Sequence, residues 1–282
     1  MAMLPFALAA QGWRTSAPQS MTLSGYLTER ALAEASGAAP SRANPGLFWT
    51  IGDSGNPPEL LAIDSTGALR GRFVLANVAN TDWEAVSVGS CPQGTCVYVG
   101  DIGDNAERRS EVAIHRVVEP VVGNAERVTV SGVETLRLRY PTQSHDVEAM
   151  GVTPAGSLLL VTKGRSAGVL AYELRAEAWS RAGVVTATRL DSLPIVPHGG
   201  TGRLVTDLAL TADGRRLVVR TYRDLFVFDR AADGAMTPSH ACDIVGREPQ
   251  GEGVAWLADG RLLLVSERGL FKRGTVNTVK CG

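Results

Sequence analysis

The 282-residue sequence lacks the features of several large protein classes. The longest apolar run near the start, Met3–Ala10, is too short to span a bilayer. Lysine and arginine are scattered rather than massed, and 28 basic residues against 29 acidic ones give a net charge of −1. The sequence therefore indicates neither a membrane-spanning helix nor the basic stripe of a nucleic-acid-binding protein.

Short catalytic motifs are also missing. There is no G-x-S-x-G nucleophile elbow, because "GDSGN" has the wrong spacing and leads from a strand into a loop. There is no P-loop and no dinucleotide-binding fingerprint. Only four histidines occur, and no cluster of histidine and cysteine has the spacing of a zinc site. These absences remove the best-marked alternatives to the interpretation developed below.

Helical periodicity is almost absent as well. The clearest helix candidate, Leu27–Gly37, is short and ends at a glycine. Most of the chain consists of short β-branched and apolar runs separated by glycine, aspartate, proline and serine, and 44% hydrophobic residues are enough for a substantial core. This pattern predicts an all-β sandwich, barrel or propeller.

A repeat decides among these three architectures. Five segments share one pattern: an acid, a small or apolar strand, a turn, and a stronger apolar strand that ends in a polar or charged residue. The segments are Glu34–Asp53, Glu84–Asp101, Glu148–Lys163, Asp207–Arg220 and Glu252–Glu267. Their starts lie 50, 64, 59 and 45 residues apart, the scale of four-stranded propeller blades. We predict five blades, with six as the alternative because the 64-residue interval is long.

The two ends of the chain have a predicted role in closing the ring. The last blade has too few residues for an outer strand, and the N-terminal run Ser20–Leu27 has no place in the first blade. We predict that this run forms the missing strand, which would leave no open sheet edge between the first and last blades. Residues 20–282 would then form one propeller domain, preceded by residues 1–19 as a flexible segment or the remnant of a secretory signal.

The four cysteines fall into two predicted pairs. Cys91 and Cys96 flank a short loop between two strand-like runs, which favours a disulfide that closes a hairpin. Cys242 and Cys281 would then pair and hold the C-terminus. Such pairing indicates an oxidising compartment, either the periplasm or the medium outside the cell. Four unpaired buried thiols are the alternative.

Propeller geometry predicts where the repeated acids lie. The first strand of each blade lines the central channel and the second runs antiparallel beside it, so the start of one and the end of the other lie at the same mouth. The first predicted ring at that mouth is Glu34, Glu84, Glu148, Asp207 and Glu252. The second is Asp53, Asp101, Lys163, Arg220 and Glu267. Asp82, Asp104, Asn105, His145, Asp146 and Arg268 lie close enough in sequence to join them.

Converging carboxylates repel one another unless a cation binds, protons are shared or basic residues pair with them. An all-oxygen donor set favours Ca²⁺ over Mg²⁺. The predicted metal ligands are Glu34, Glu84, Glu148, Asp207, Glu252, Asp53 and Asp101. Alternatively, the acids accept hydrogen bonds from nearby backbone amides, as turn residues such as Asp82 and Asp146 often do.

The basic residues at the same mouth have a predicted catalytic role. Lys163, Arg220 and Arg268 would hold an anionic group or stabilise developing negative charge, and a carboxylate or His145 would act as a base. The other histidines are assigned no role. Trp49 and Trp83 lie beside the mouth and are predicted to belong to the core.

Three stretches resemble a known group of proteins. They are "EASGAAPSRANPGLFWTIGDSG", "TDWEAVSVG" and "VYVGDIGDNAERRSEVAIHRVVEP", which together cover roughly the first half of the chain. They resemble secreted bacterial β-propeller proteins, which are distantly similar to calcium-dependent phytase-like and gluconolactonase- or paraoxonase-like propeller hydrolases. The resemblance implies that acids at the channel mouth bind Ca²⁺, and it maps those ligands onto the five acids of the first ring. Asp207 departs from the pattern because the other four positions carry glutamate.

The functional expectation is a calcium-dependent hydrolase acting on a small ester, lactone or phosphoester, including phosphotriesters, at the channel mouth. The alternative is a non-catalytic propeller that binds a ligand or protein and holds a structural metal, because propellers host both kinds of function. We expect a monomer with a small-molecule substrate, no nucleic-acid partner and no membrane span.

Overall fold

The computed structural model describes residues 13–124, 127–198, 200, 202–270 and 272–282, and the apolar run Met3–Ala10 lies outside them. Strands dominate this part of the chain. In order they are β1 (Thr15–Ser16), β2 (Ser20–Leu27), β3 (Ala35–Pro40), β4 (Leu47–Gly52), β5 (Glu59–Asp64), β6 (Leu69–Leu75), β7 (Trp83–Cys91), β8 (Gly94–Asp101), β9 (Val112–Val118), β10 (Val128–Val130), β11 (Glu134–Arg139), β12 (Val147–Val152), β13 (Leu158–Thr162), β14 (Val169–Leu174), β15 (Val184–Thr186), β16 (Thr188–Leu193), β17 (Val205–Leu210), β18 (Arg216–Thr221), β19 (Asp224–Arg230), β20 (Met236–Asp243), β21 (Gln250–Trp256), β22 (Leu262–Glu267) and β23 (Gly274–Lys280).

Helix is limited in the described residues to 3₁₀ segments at Arg30–Leu32 and Ala176–Ser180 and to Gly200. The predicted helix Leu27–Gly37 is therefore wrong. Its apolar residues belong to three different elements: β2 ends at Leu27, the first 3₁₀ turn buries Leu32, and β3 begins at Ala35. Burial in the propeller outweighs the weak helical preference of this segment. No helix in the described part of the chain is long and apolar enough to cross a membrane.

The strands form five sheets, which confirms the predicted five-bladed propeller. From the channel outwards the blades are β3–β4–β5–β6, β7–β8–β9–β11, β12–β13–β14–β16, β17–β18–β19–β20 and β21–β22–β23–β2. The N-terminal strand closes the ring as predicted, because β2 runs antiparallel to β23, with Ser20 opposite Lys280 and Leu27 opposite Gly274.

Short parallel strands cover the outer edges of three blades. β10 pairs with β6, β15 pairs with β11, and β1 pairs with β20. The stretch "VTATRLDSL" is consequently divided between two blades, since β15 joins the second blade and β16 completes the third. Next to β1, Trp13 packs on the rings of Phe226 and Phe228. Covering the outer strands removes backbone groups that would otherwise pair with another chain.

The hydrophobic core consists of five clusters, one in each gap between neighbouring blades. Trp49 and Trp83 are fully buried between the first and second blades, as predicted. Tyr98, Tyr140 and Tyr172 fill the gap between the second and third. Each blade therefore buries both faces of its sheet, which explains why its inner strands are almost continuously apolar.

Both predicted cysteine pairs are disulfide-bonded, each with its Cα atoms 5.8 Å apart. Cys91–Cys96 closes the β7–β8 hairpin, and Cys242–Cys281 joins the outer strand of the fourth blade to the residues that follow β23. Structural disulfides of this kind are typical of proteins outside the reducing cytosol.

The two disulfides are expected to differ in their effect on stability. Cys242–Cys281 closes a loop of sequence separation 39, and Cys91–Cys96 closes one of 5. From chain entropy we expect the free energy of unfolding to fall by about 4 kcal/mol in Cys242→Ser/Cys281→Ser and by about 2 kcal/mol in Cys91→Ser/Cys96→Ser. Denaturant unfolding of the two variants provides the measurement, and each serves as the control for the other. A larger loss from the hairpin pair would contradict the prediction.

Candidate functional site

A β-bulge interrupts the first strand of every blade near the mouth of the channel. The pairing register with the second strand shifts around Glu84, Glu148, Thr206 and Glu252, and around Gly37 in the first blade. A bulge places two residues opposite one and thereby redirects a side chain. Three of the bulged residues are glutamates that line one shared cavity. The repeated acid of the sequence is thus the bulged residue in three blades.

This cavity, the acid cavity, has a volume of about 230 Å³. It lies where the first strands start and the second strands end, and almost every lining residue is polar. The lining residues are Ser36, Asp53, Glu84, Asn105, Glu148, Lys163, Arg165, Tyr222, Gln250, Glu252 and Glu267. Residues far apart in sequence and from all five blades meet here, as strand geometry predicts.

A buried ion pair occupies one wall of the acid cavity. Lys163 Nζ lies 2.6 Å from Glu148 Oε1, and neither residue is more than 7% exposed. Burial raises the pKa of Glu148, the charge of Lys163 lowers it and the charge of Asp146 raises it, with a net result of about 7. Burial also opposes the charge on Lys163, but Glu148, Tyr222 and Glu84 outweigh it and raise the pKa of the ammonium group. Lys163 is therefore protonated at neutral pH, beside a carboxyl group poised to exchange a proton.

The other three glutamates that line the cavity have raised pKa values and no basic ion-pair partner within the described part of the chain. Burial raises the pKa of Glu84 well above its ordinary value, and the charges of Glu148 and Asp53 add to this effect. Burial likewise raises the pKa of Glu252 to about 8 and that of Glu267 to about 7. Among the described residues, no basic side chain forms an ion pair with Asp53, Glu84, Glu252 or Glu267. A bound cation would relieve the repulsion among these groups when they ionise.

Three carboxylates converge at the edge of the cavity. One oxygen from each of Asp53, Asp82 and Glu84 lies within 4.8 Å of the other two. Asp82 is half-buried, and burial, together with Asp53 and Asp146, raises its pKa. The three donors are all oxygens, the ligand type that Ca²⁺ prefers. A calcium ion therefore fits the chemistry of this cluster.

Backbone contacts hold the three carboxylates in place. Asn80 Nδ2 donates to the carbonyls of Gly52 and Asp53, and its Oδ1 accepts from the Trp83 amide. Gly103 lies against the cluster, since a Cβ atom there would be 2.7 Å from both the Asp82 carboxylate and Glu84 Oε1. Any larger residue at position 103 would displace these side chains.

Three predicted site residues lie outside the cavity and bond to the protein instead. Asp207 accepts hydrogen bonds from the amides of Ala38, Leu208 and Val254. Asp101 accepts from the Thr81 and Asp82 amides and from Arg109. Arg220 is fully buried, where it donates to the carbonyls of Gly253 and Val265 and pairs with Glu248. The contacts of Asp207 and Asp101 are those of the alternative in which acids accept hydrogen bonds from nearby backbone amides, whereas Arg220 donates to backbone carbonyls.

The remaining predicted residues lie around the rim or behind it. Glu34 is exposed and accepts from Asn56, and Arg268 is exposed beside the mouth. His145 is buried, with its ring 5.7 Å from those of Tyr140 and Tyr172 and its Nδ1 3.8 Å from Glu107 Oε1. Burial lowers the pKa of His145. None of the three lines the acid cavity.

Sequence reasoning overlooked several residues that do line the cavity. Arg165 has no predicted role, but it pairs with Asp146 and bonds to Asn105 at the rim. Tyr222 and Gln250 had no marked sequence signal, although Gln250 lies two residues before Glu252 and its amide donates to that carboxyl group at 3.0 Å. The alternation of a strand places residues i and i+2 on one face, and that signal was available.

Comparison with known proteins supports the fold. No protein-family model matches the chain, and no curated protein matches it in sequence. A soluble aldose sugar dehydrogenase from Escherichia coli is similar in structure, with a TM-score of 0.54, 11% identity and coverage of 93% of this chain and 99% of that one. A PQQ-bound aldose sugar dehydrogenase from Streptomyces coelicolor has a TM-score of 0.50 and 13% identity, with coverage of 94% of this chain and 100% of that one. A protein provisionally assigned as a gluconolactonase has a TM-score of 0.50 and 10% identity, with coverage of 95% of this chain and 93% of that one. At these identities the similarity establishes the propeller fold alone.

The raised pKa values predict that the metal-free protein loses stability as pH rises. Glu252 titrates near its ordinary value of 4.5 when unfolded and at about 8 when folded. The folded state therefore binds more protons between these values, and the stability that the protonated form contributes is lost as pH rises through about 8. We expect Glu252→Gln to reduce this loss by on the order of 3 kcal/mol.

Denaturant unfolding in EDTA at about pH 5, 6.5 and 8 provides the measurement. Glu177→Gln is the matched control, because Glu177 is an exposed glutamate that lies outside the acid cavity. Parallel pH profiles for the wild type and Glu252→Gln would contradict the prediction.

Proposed function

We propose that this protein is a calcium-dependent hydrolase whose substrate is a small, polar ester, lactone or phosphoester. The observation that carries the proposal is the group of Asp53, Asp82 and Glu84, with oxygens within 4.8 Å of one another, beside the Glu148–Lys163 pair in the same cavity. A cation site and a proton-exchanging pair in one cavity are the parts that metal-assisted hydrolysis requires. The gluconolactonase assignment of one structural neighbour is consistent with this class of reaction.

Asp53, Asp82 and Glu84 would hold the calcium ion, and Glu84 would do so after losing its proton. When bound, the ion would supply polarisation of a carbonyl or phosphoryl oxygen and a lower pKa for a bound water molecule. Every other role falls to the protein. Glu148, with a pKa of about 7, would accept the proton of the attacking water, and Lys163 would stabilise negative charge that develops on the substrate.

The cavity lining favours a polar substrate over an apolar one. Small-molecule sites are usually mainly apolar. Here Tyr222 is the sole aromatic residue among the lining residues, and charged or amide side chains supply nearly all the rest. With a volume of about 230 Å³ the cavity accommodates a molecule the size of a monosaccharide derivative. A hydroxylated lactone or a compact phosphoester is therefore favoured over an aryl ester or an apolar phosphotriester.

The location that suits this function is outside the cytoplasm. Two disulfides are stable under oxidising conditions, and millimolar extracellular Ca²⁺ would saturate even a weak oxygen site. We therefore propose a periplasmic or secreted enzyme.

The test is a hydrolysis assay on the purified protein after treatment with EDTA. The panel contains a sugar lactone, an aryl ester, a phosphomonoester and a phosphotriester, each with and without added Ca²⁺. We expect hydrolysis of a polar substrate that EDTA abolishes and Ca²⁺ restores. Aldose oxidation that depends on added PQQ is assayed in parallel, because two of the similar folds are sugar dehydrogenases.

Lys163→Met tests the assigned role of the basic residue. We expect it to lower kcat at least tenfold while Ca²⁺ still raises the melting temperature, because Lys163 does not belong to the carboxylate group. Stabilisation by Ca²⁺ without turnover on any substrate would instead support a binding propeller with a structural metal. Hydrolysis that persists in EDTA, or activity seen solely with PQQ, would overturn the proposal.

A further inference from the structure

A second and larger cavity opens at the opposite mouth of the channel. It has a volume of about 790 Å³, and all five blades contribute residues where their first strands end. Along β7 the nearest lining residues of the two cavities, Glu84 and Val86, lie two residues apart, which is about 7 Å. The acid cavity and this cavity share no lining residue.

The channel between the two cavities is closed near its axis. The carboxylate of Asp207 joins the amides of Ala38 in the first blade and Val254 in the fifth. Beside it, a Cβ atom on Gly253 would lie 2.6 Å from the backbone of Gly37, so these two strands are in direct contact. The second cavity is therefore a blind cup rather than the exit of the acid cavity.

The interior of this cup is apolar. We call it the apolar funnel and define it by Val86, Val88, Val152, Leu208, Leu210 and Trp256. The indole N–H of Trp256 already donates to the Ala209 carbonyl at 3.1 Å, which leaves the ring as an apolar wall. A concave apolar site of this volume is typical of sites for small organic molecules.

The rim of the funnel carries a net charge of +1. Arg216 pairs with Asp229 at 3.3 Å, and Asp213 accepts from the Thr211 hydroxyl and the Arg215 amide of its own turn. Two more cations, Arg42 and Arg215, line the same rim. Across the residues that the structure describes, the guanidinium groups of Arg42 and Arg215 form no ion pair. Free guanidinium groups above an apolar floor select for an anion with an apolar body.

We propose that the apolar funnel binds an amphipathic organic monoanion, a molecule with an aromatic or alkyl body and one carboxylate or sulfonate group. The body occupies the apolar interior, and the anionic group contacts Arg42 and Arg215 at the rim. This site is separate from the acid cavity, so the inference does not depend on the proposed hydrolase activity.

The probe is 1-anilinonaphthalene-8-sulfonate, titrated into the folded protein and followed by its fluorescence. We expect saturable binding with one molecule per chain. Leu210→Asp, which places a charge on the funnel wall, is expected to weaken binding at least tenfold. Arg42→Gln/Arg215→Gln is expected to weaken it at least fivefold, yet to leave binding of the neutral analogue N-phenyl-1-naphthylamine unchanged.

Controls come from another surface groove. Leu23→Asp and Arg247→Gln/Arg273→Gln alter a groove on the fifth blade that also combines apolar and basic residues, and both should bind the probe like the wild type. The arginine substitutions are on exposed residues and should fold normally. Absence of binding by the wild type, or wild-type affinity in the Arg42→Gln/Arg215→Gln variant, would overturn the proposal. So would a wild-type dimer that Leu210→Asp converts to a monomer, because the funnel would then be an interface.

Discussion

The Asp82→Asn/Glu84→Gln variant is expected to lose Ca²⁺-dependent hydrolysis and to weaken Ca²⁺ binding at least a hundredfold. These substitutions keep the size of the side chains but remove two of the three charged donors that lie within 4.8 Å of one another. Neutral amides are poorer ligands for a hard cation than carboxylates are. Titration calorimetry and the rise in melting temperature on adding Ca²⁺ measure the loss independently of activity.

The same variant has a second expected property that separates ligand loss from misfolding. In EDTA at about pH 8 it should be more stable than the wild type, because the buried Glu84 and the half-buried Asp82, which repel each other, have been replaced by neutral amides. Glu29→Gln/Glu177→Gln is the matched control, since it neutralises two exposed glutamates that lie outside the acid cavity. Undiminished stabilisation by Ca²⁺ in Asp82→Asn/Glu84→Gln would show that the metal site is elsewhere.

Asp207→Ala is expected to lower the free energy of unfolding by about 4 kcal/mol. The carboxylate of Asp207 is fully buried and accepts from the amides of Ala38, Leu208 and Val254, at 3.2, 2.8 and 2.8 Å. Its removal leaves three buried N–H groups without an acceptor, at about 1–3 kcal/mol each. It also disconnects the fourth blade from the first and fifth at the channel axis. Differential scanning calorimetry should show a melting temperature lower by about 8 °C.

Calcium binding distinguishes this structural role from the ligand role that the sequence predicted for Asp207. The folded Asp207→Ala variant should show the same Ca²⁺-induced rise in melting temperature as the wild type. Asp259→Ala, an exposed aspartate that bonds within its own turn, is the control and should lose less than about 1 kcal/mol. A variant that keeps its stability but no longer responds to Ca²⁺ would restore Asp207 as a metal ligand.

The amino-acid pattern was sufficient to predict the architecture because its signals are local. Alternation of apolar and turn residues marks each strand pair, and the spacing of the acids gives the length of each blade. The strand Ser20–Leu27 was placed in the last blade because that blade had no other outer strand, and the pairing of Ser20 with Lys280 confirms it. Both disulfides followed from cysteine positions within the same pattern.

The membership of the acid cavity was not predictable in the same way. In the fourth blade the bulge falls on Thr206, so the residue equivalent to Glu148 is a threonine, and Asp207 points to the backbone at the channel axis. A shift of one residue in a strand moves a side chain to the opposite face. Sequence spacing alone does not reveal a bulge. The position of Glu148 beside Lys163 was foreseeable from the hairpin. The convergence of Asp82 with Asp53 and Glu84 depends instead on the conformation of the loop before β7.

By itself, then, the sequence determined that the chain forms a closed five-bladed propeller with acids near one mouth, because strand pairing and chain closure depend on short-range pattern. The tertiary structure alone decided which acids share a cavity, which accept hydrogen bonds from backbone amides, and where the apolar funnel lies. These properties arise where five blades converge on the channel, and the contacts there join residues far apart in sequence, such as Ala38 and Asp207 at a separation of 169 positions. Burial raises the pKa of a carboxyl group according to all of its neighbours, whatever their distance along the chain.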